Sequence, residues 1–220
     1  MLSEIKQLKR LRYRVFAPAE AQAAESGTSW PVLCFLHGHG EHSGLLTIDQ
    51  AMARHGPLKD DDATRQAFAD RFIVVFSQLP APGGNVWLKY AAEVEELIKS
   101  VWHDYGGDPK RTYLTGFSYG GNGVFSLVAV QPGLWAALWP VDPTLNPIPK
   151  PPQPIWLCLG DYSRGDEASL QRRGFQELKK AGANTDGVYV DYGKDHSGTA
   201  TSAYRDRRIY DWLLTKQLKK

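Results

Sequence analysis

From about residue 11 onward, short runs of consecutive apolar residues alternate with longer stretches in which apolar residues recur every three or four positions. A run such as Phe72-Ile73-Val74-Val75-Phe76 has no polar face, so it suits a strand covered on both sides. Recurrence at three and four suits a helix with one covered stripe. The pattern predicts strands over 13–17, 32–37, 72–76, 112–115, 136–141, 155–159 and 188–192. It predicts helices near 63–69, 91–105, 120–130, 168–181 and 202–216. Strand-then-helix repetition needs crossover connections, which give an α/β fold with a mostly parallel central sheet and helices on both faces.

Several boundaries carry local chemistry. The helix ending near Tyr105 stops at Gly106-Gly107, and Asp108-Pro109 turns the chain into the next strand. Lys179-Lys180-Ala181-Gly182 reads as a helix C-terminus, with positive charge in the last turn and glycine after it. Residues 19–29 read as a surface loop. The proline-rich stretch 143–154 is neither regular helix nor central strand, and as a surface connection it is long enough to overhang a site. With no internal repeat and no low-complexity linker, residues 1–220 are expected to form one domain.

Composition narrows the partners. The chain is 42% hydrophobic, enough for one sizeable core. Net charge is only +2 and the basic residues are dispersed, which argues against nucleic acid. Nothing approaches the roughly 18 consecutive apolar residues that cross a bilayer, and Met1-Leu2-Ser3-Glu4-Ile5-Lys6 lacks an apolar leader segment. The expectation is a cytoplasmic protein with no membrane partner. Cys34 and Cys158 each sit inside an apolar run and read as buried, reduced thiols.

The chemistry concentrates at residues 116–120, Gly-Phe-Ser-Tyr-Gly, between the run Arg111–Thr115 and the apolar stretch that begins at Val124. Gly-x-Ser-x-Gly between a strand and a helix is the nucleophile elbow. The turn is so tight that side chains two residues before and after Ser118 would strike the adjoining elements, and Gly116 and Gly120 remove them. A serine hydroxyl needs a base to become a nucleophile, and elbow enzymes place that base late in the chain, after a strand. Asp195-His196-Ser197-Gly198 occupies that place, so His196 is the expected base.

Residues 37–42, His-Gly-His-Gly-Glu-His, follow the apolar run that ends at Leu36. Gly38 and Gly40 make this a loop rather than the helix that a His-Glu-x-x-His zinc motif requires, so no metal is expected. The better reading is an oxyanion loop, with the backbone N–H of His39 joining that of Tyr119 at the substrate carbonyl. His37 is expected to brace the loop by hydrogen bonding.

These pieces together resemble the esterases of the α/β-hydrolase superfamily, in particular the predicted-peptidase, phospholipase/carboxylesterase and polyhydroxybutyrate-depolymerase-like group. The matching stretches are LHGHGEHSG at 36–44, FIVVFSQLP at 72–80, Trp87, DPKRTYLTGFSYGGNGVFSL at 108–127, PIWLCLGD at 154–161 and GKDHSG at 193–198. They cover most of the chain from residue 31 in the expected order. The resemblance implies an α/β-hydrolase fold and a cofactor-free serine enzyme acting on small-molecule esters, and the proline-rich connection between Val141 and Ile155 is too short for a large cap domain. It carries over Ser118, His196, His39 and Tyr119.

One position departs from the pattern. Relatives place the acid of the triad in a Gly-x-x-Asp arrangement, and counting from Gly160 lands on Ser163. Asp166 and Asp161 flank that spot, and Asp142, closing the preceding strand, is a third candidate. The expected reaction is hydrolysis of short- or medium-chain or aromatic carboxylic esters in an open cleft, with Trp87 as a candidate wall. A peptidase or amidase with the same triad, and a non-catalytic binding protein on the same fold, are the competing readings. No oligomeric state is assigned.

Overall fold

The computed structural model describes residues 2–22, 29–68, 71–81, 87–145, 151–172, 187–191 and 193–218. The strands are β1 (Lys6–Leu8), β2 (Leu11–Phe16), β3 (Trp30–Leu36), β4 (Ile73–Gln78), β5 (Gly107–Phe117), β6 (Ala137–Val141), β7 (Trp156–Gly160) and β8 (Gly187–Asp191). They form one 8-stranded sheet in the order β1-β2-β4-β3-β5-β6-β7-β8. From β4 through β8 every neighbouring pair in that order is parallel, while β1 and β2 run antiparallel at the edge.

The helices are α1 (Ala19–Gln22), α2 (Ile48–Met52), α3 (Asp62–Phe68), α4 (Ala91–Asp104), α5 (Tyr119–Val130), α6 (Glu167–Arg172), α7 (His196–Arg205) and α8 (Arg207–Leu214). Alternate residues of β3 decide which face each helix covers. Val32, Cys34 and Leu36 belong to the core shared with α4, α5 and Leu170 of α6. Leu33 and Phe35 belong to the core shared with α2, α3, α7 and α8. The expected α/β architecture is the observed one.

Some boundaries differ from expectation. The helix expected over 202–216 is two helices, with the first beginning at His196, because Asp206 ends α7 and caps α8 by accepting a hydrogen bond from Arg208 N at 3.0 Å. β5 starts at Gly107, but pairing jumps from Trp30↔Gly107 to Val32↔Thr112, so residues 108–111 bulge from the ladder and keep the turn that Asp108-Pro109 suggested. The helix expected over 168–181 is described only to Arg172. Ala19–Gln22, expected in a loop, form α1, and the C-terminal signal at Lys179–Gly182, residues 23–28 and the centre of the proline-rich stretch lie outside the described residues.

The β6–β7 ladder bears on the site. Leu138 N donates to Pro154 O at 2.9 Å and Asp142 N to Cys158 O at 2.8 Å. Pro140, between them, has no N–H to give. The ladder therefore re-forms at Asp142, one residue beyond the strand, where φ is +44°.

Trp135 and Trp139 are fully buried and Trp87 is 2% exposed. All three are core residues. Cys34 and Cys158 are free and buried, and burial pushes the Cys34 thiol up to about 12. No helix among the described residues is long and apolar enough to cross a membrane.

Candidate active site

Ser118 lies where β5 stops and α5 starts, at φ +57° and ψ −116°. A left-handed backbone at a residue with a side chain costs about 1–3 kcal/mol and persists only where its surroundings impose it. Here the surroundings are explicit. Ser118 N donates to Val141 O at 2.9 Å, and Asn122 N to Ser118 O at 3.1 Å. A β-carbon at Gly116 would lie 2.4 Å from Gly120 O, and one at Gly120 only 1.8 Å from Leu36 O. The two glycines thus let β5, β3 and α5 meet at the turn. Gly120→Ala is expected to lower the unfolding free energy by about 3 kcal/mol or more, read from urea midpoints; a loss below about 1 kcal/mol would contradict this packing.

The imidazole of His196, the first residue of α7, meets the serine. Its Nε2 is 2.9 Å from Ser118 Oγ. Asp195 caps the helix by accepting from Gly198 N at 2.7 Å, which fixes where α7 begins. The Phe117 ring lies against the imidazole with centroids 4.5 Å apart, and His55 lies 4.5 Å from Phe117. His55, pushed down to about 4 by burial and then by the Lys59 charge, is neutral at pH 7.

The carboxylate facing His196 Nδ1 is Asp142, at 2.5 Å. This corrects the expectation that favoured Asp166 and Asp161. Asp166 is an N-cap: Ser169 N donates to its Oδ1 at 2.9 Å, and Ser169 holds its carboxyl below the ordinary range. Asp161 accepts from Tyr162 N at 2.9 Å and from Lys194 N at 3.1 Å. Neither turns toward the imidazole. Asp142 is fully buried and also accepts from Ser163 Oγ, at 2.8 Å and 3.0 Å to its two oxygens, from Gly160 N at 3.3 Å, and from the Arg164 guanidinium. Ser163, the residue at the Gly-x-x-Asp position, serves the acid instead of supplying it.

Asn122 ties the segment after Asp142 to α5. Its Oδ1 accepts from Thr144 N and Leu145 N at 2.9 Å each, and its Nδ2 donates to Thr144 Oγ1 at 2.6 Å. Sequence reasoning passed over Asn122, although it stands four residues after the serine, one helical turn into α5.

The 37–42 loop closes the other side. His39–Glu41 form a single 3₁₀ turn, and the rings of His39 and Tyr119 lie 5.2 Å apart. Tyr119 N–H opens α5, where the helix dipole favours negative charge. His37 braces the loop from below. Leu79 N–H can only donate, at 3.0 Å to Nε2, so Nδ1 carries the proton and donates to Gly38 O at 2.6 Å. Burial pushes His37 down to about 4.

Trp87 differs from expectation: its ring packs on Gly123, and its Nε1 donates to His37 O at 3.3 Å. It supports the loop from inside the core and does not face a cleft. A β-carbon on Gly123 would lie 2.7 Å from that ring, so glycine is what admits the tryptophan.

Glu41 holds the turn from within: its Oε2 accepts from Gly38 N at 2.7 Å, and its Oε1 is buried with no partner among the described residues. Burial raises this carboxyl to about 7, against the pull of Gly38 N–H and the Arg54 charge. The unfolded chain releases that proton near 4.5, while the folded chain keeps it to about 7. Stability therefore falls as pH rises across this window, by about 3 kcal/mol in total. His37 acts oppositely, adding stability as pH rises from about 4 through 6.5. Glu41→Gln should remove the falling component alone, so its stability relative to wild type should climb by about 2–3 kcal/mol between pH 5 and 7.5 in urea unfolding. A pH-independent difference would contradict the assignment.

No protein-family profile and no curated protein sequence matches the chain. Solved structures do match. A thermostable esterase is 21% identical with a TM-score of 0.72 over 94% of this chain, which spans 59% of that protein. A ferulic acid esterase is 17% identical with a TM-score of 0.68, covering 97% of this chain and 98% of that one. An S-formylglutathione hydrolase from Agrobacterium tumefaciens is 15% identical with a TM-score of 0.67, covering 99% and 95%. The chain has the α/β-hydrolase fold that these esterases and hydrolases share.

Proposed function

We propose that this chain is a serine esterase that cleaves carboxylic esters of short or medium acyl chains, or of aromatic acids, through an acyl-enzyme. One observation carries the reading: Ser118 Oγ lies 2.9 Å from His196 Nε2, His196 Nδ1 lies 2.5 Å from a buried carboxylate, and the serine sits on a strained elbow. The likeness in fold to a thermostable esterase, a ferulic acid esterase and an S-formylglutathione hydrolase supports the same reaction class.

In the proposed mechanism the Arg164 N–H goes to the Asp142 carboxylate and not to Nδ1, and Asp142 holds the tautomer with the proton on Nδ1, leaving Nε2 free to take the proton of Ser118. The serine oxygen adds to the ester carbonyl, and the N–H groups of His39 and Tyr119 donate hydrogen bonds to the oxyanion. His196 then hands its Nε2 proton to the departing alcohol. Water, deprotonated by the same nitrogen, adds to the acyl-enzyme, and collapse of that adduct releases the acid and restores Ser118. Among the described residues neither amide N–H has an intramolecular acceptor, as oxyanion donors require. The non-catalytic reading rested on the absent Gly-x-x-Asp, and Asp142 supplies a carboxylate without it.

The preference for short or aromatic acyl groups rests on an open cleft, which we infer from the connection between Val141 and Ile155 because it is too short for a helical cap. Hydrolysis of p-nitrophenyl acetate, butyrate, octanoate and palmitate and of a feruloyl ester tests this. Activity is expected to peak at short or medium chains or on the aromatic ester. A steady rise toward palmitate and long-chain triacylglycerols would contradict the open cleft, and faster cleavage of a matched amide would favour the amidase reading.

A further inference from the structure

Arg164 is the feature that the mechanism above does not use. It stands one residue beyond the position where the Gly-x-x-Asp count ends, in a loop wound around one carbonyl: Ser163 N, Arg164 N and Gly165 N all donate to Gly160 O, at 3.1, 2.7 and 2.8 Å. Two glycines make so tight a loop possible. A β-carbon at Gly160 would lie 2.2 Å from Thr199 Oγ1 on α7, and one at Gly165 would lie 2.6 Å from Val190 Cγ1 on β8. The loop therefore has little freedom, and it sends a side chain only 14% exposed toward the imidazole. Arg164 Nη1 donates to Asp142 Oδ2, the oxygen that also faces His196, and lies 2.6 Å from His196 Nδ1.

The need for a cation follows from where the carboxylate lies. Asp142 has no solvent exposure, and a buried, ionised carboxylate is strongly disfavoured unless it is paired and hydrogen-bonded. Among the described residues its other uncharged donors are the Ser163 hydroxyl and a long contact from Gly160 N at 3.3 Å. Neither brings charge. Among the described residues Asp142 is the only anionic partner of Arg164, so each ion depends on the other.

We infer that Arg164 is a positioning residue for the proposed reaction: with Ser163 it keeps the relocated carboxylate of Asp142 ionised and aimed at His196, doing from the β7 loop what solvent and backbone do for an exposed acid. This rests on the esterase reading. Arg164 reaches the reacting atoms only through Asp142 and His196, so its loss acts on turnover and leaves substrate affinity alone.

The test compares wild type, Arg164→Met, Arg164→Lys and Arg164→Ala on p-nitrophenyl acetate, with folding followed by near-UV circular dichroism. Arg164→Met is expected to lower kcat by about 10- to 100-fold with KM within about twofold. Arg164→Lys, which keeps a cation within reach of the carboxylate, should recover most of that loss. Methylguanidinium should raise kcat of Arg164→Ala at least fivefold and leave Asp142→Asn unchanged. A kcat for Arg164→Met within twofold of wild type, or a loss confined to KM, overturns the inference. If Arg164→Met does not fold, Arg164→Lys decides: retention of at least a third of kcat supports the role of charge, and a loss beyond tenfold refutes it. Wild type separates the two layers of argument. Without Ser118-dependent release of p-nitrophenolate by wild type the esterase reading and this inference fall together; with that release and an unaffected Arg164→Met, only this inference falls.

Discussion

Asp142→Asn is expected to lower kcat on p-nitrophenyl acetate by about 10⁴-fold, while Asp161→Asn and Asp166→Asn stay within about threefold of wild type. The asparagine is nearly isosteric, so the cavity beneath His196 keeps its shape. It turns an acceptor for Nδ1–H into a group that can present an N–H, which favours the imidazole tautomer unable to take the serine proton. The carboxylates of Asp161 and Asp166 serve backbone N–H groups, and Asp195 caps α7, so asparagine there costs stability at most. Circular dichroism and urea midpoints separate a fold effect from a turnover effect.

Ser118→Ala and His196→Ala should each lower kcat by at least about 10⁴-fold, and the double variant should be no worse than either single one. Non-additivity is the informative part. The serine is activated only by the base, and the base has no partner once the hydroxyl is gone, so the second removal finds nothing left to take away. Ser118→Ala has a second effect. Alanine keeps φ +57° without any hydroxyl to use it, so stability should stay within about 1 kcal/mol of wild type while turnover collapses.

How much of this could be read in the sequence depended on burial. Strands such as Ile73–Gln78 and Trp156–Gly160 are covered on both faces, and coverage leaves apolar runs such as Ile73–Phe76 and Trp156–Leu159. Lys6–Leu8, an exposed edge strand, leaves no such trace and was missed. The meeting of Ser118 and His196 was legible because glycines stand at fixed offsets around the serine and because His196 follows a late strand; the structure brings the two side chains to 2.9 Å.

The carboxylate that faces His196 was not legible by counting along the chain. β6 and β7 are adjacent in the sheet, so a carboxylate after Val141 and one after Gly160 can reach the same imidazole, and spacing does not choose between them. The usable signal was Val141-Asp142-Pro143, a charged residue closing an apolar strand just before a proline. Trp87 illustrates a different loss. Proximity to the oxyanion loop does not reveal which side of the backbone an indole occupies, and Gly123, which opens the space for it in the core, is 36 residues away.

The central claim is that Ser118 is an activated nucleophile. It is tested most directly by treating the wild-type protein with a fluorophosphonate, measuring the intact mass and locating the adduct by peptide mapping. One equivalent on Ser118 is predicted, absent in Ser118→Ala and slowed in parallel with turnover in His196→Ala and Asp142→Asn. An unlabelled protein, or a label on another residue with ester hydrolysis intact in Ser118→Ala, would contradict it.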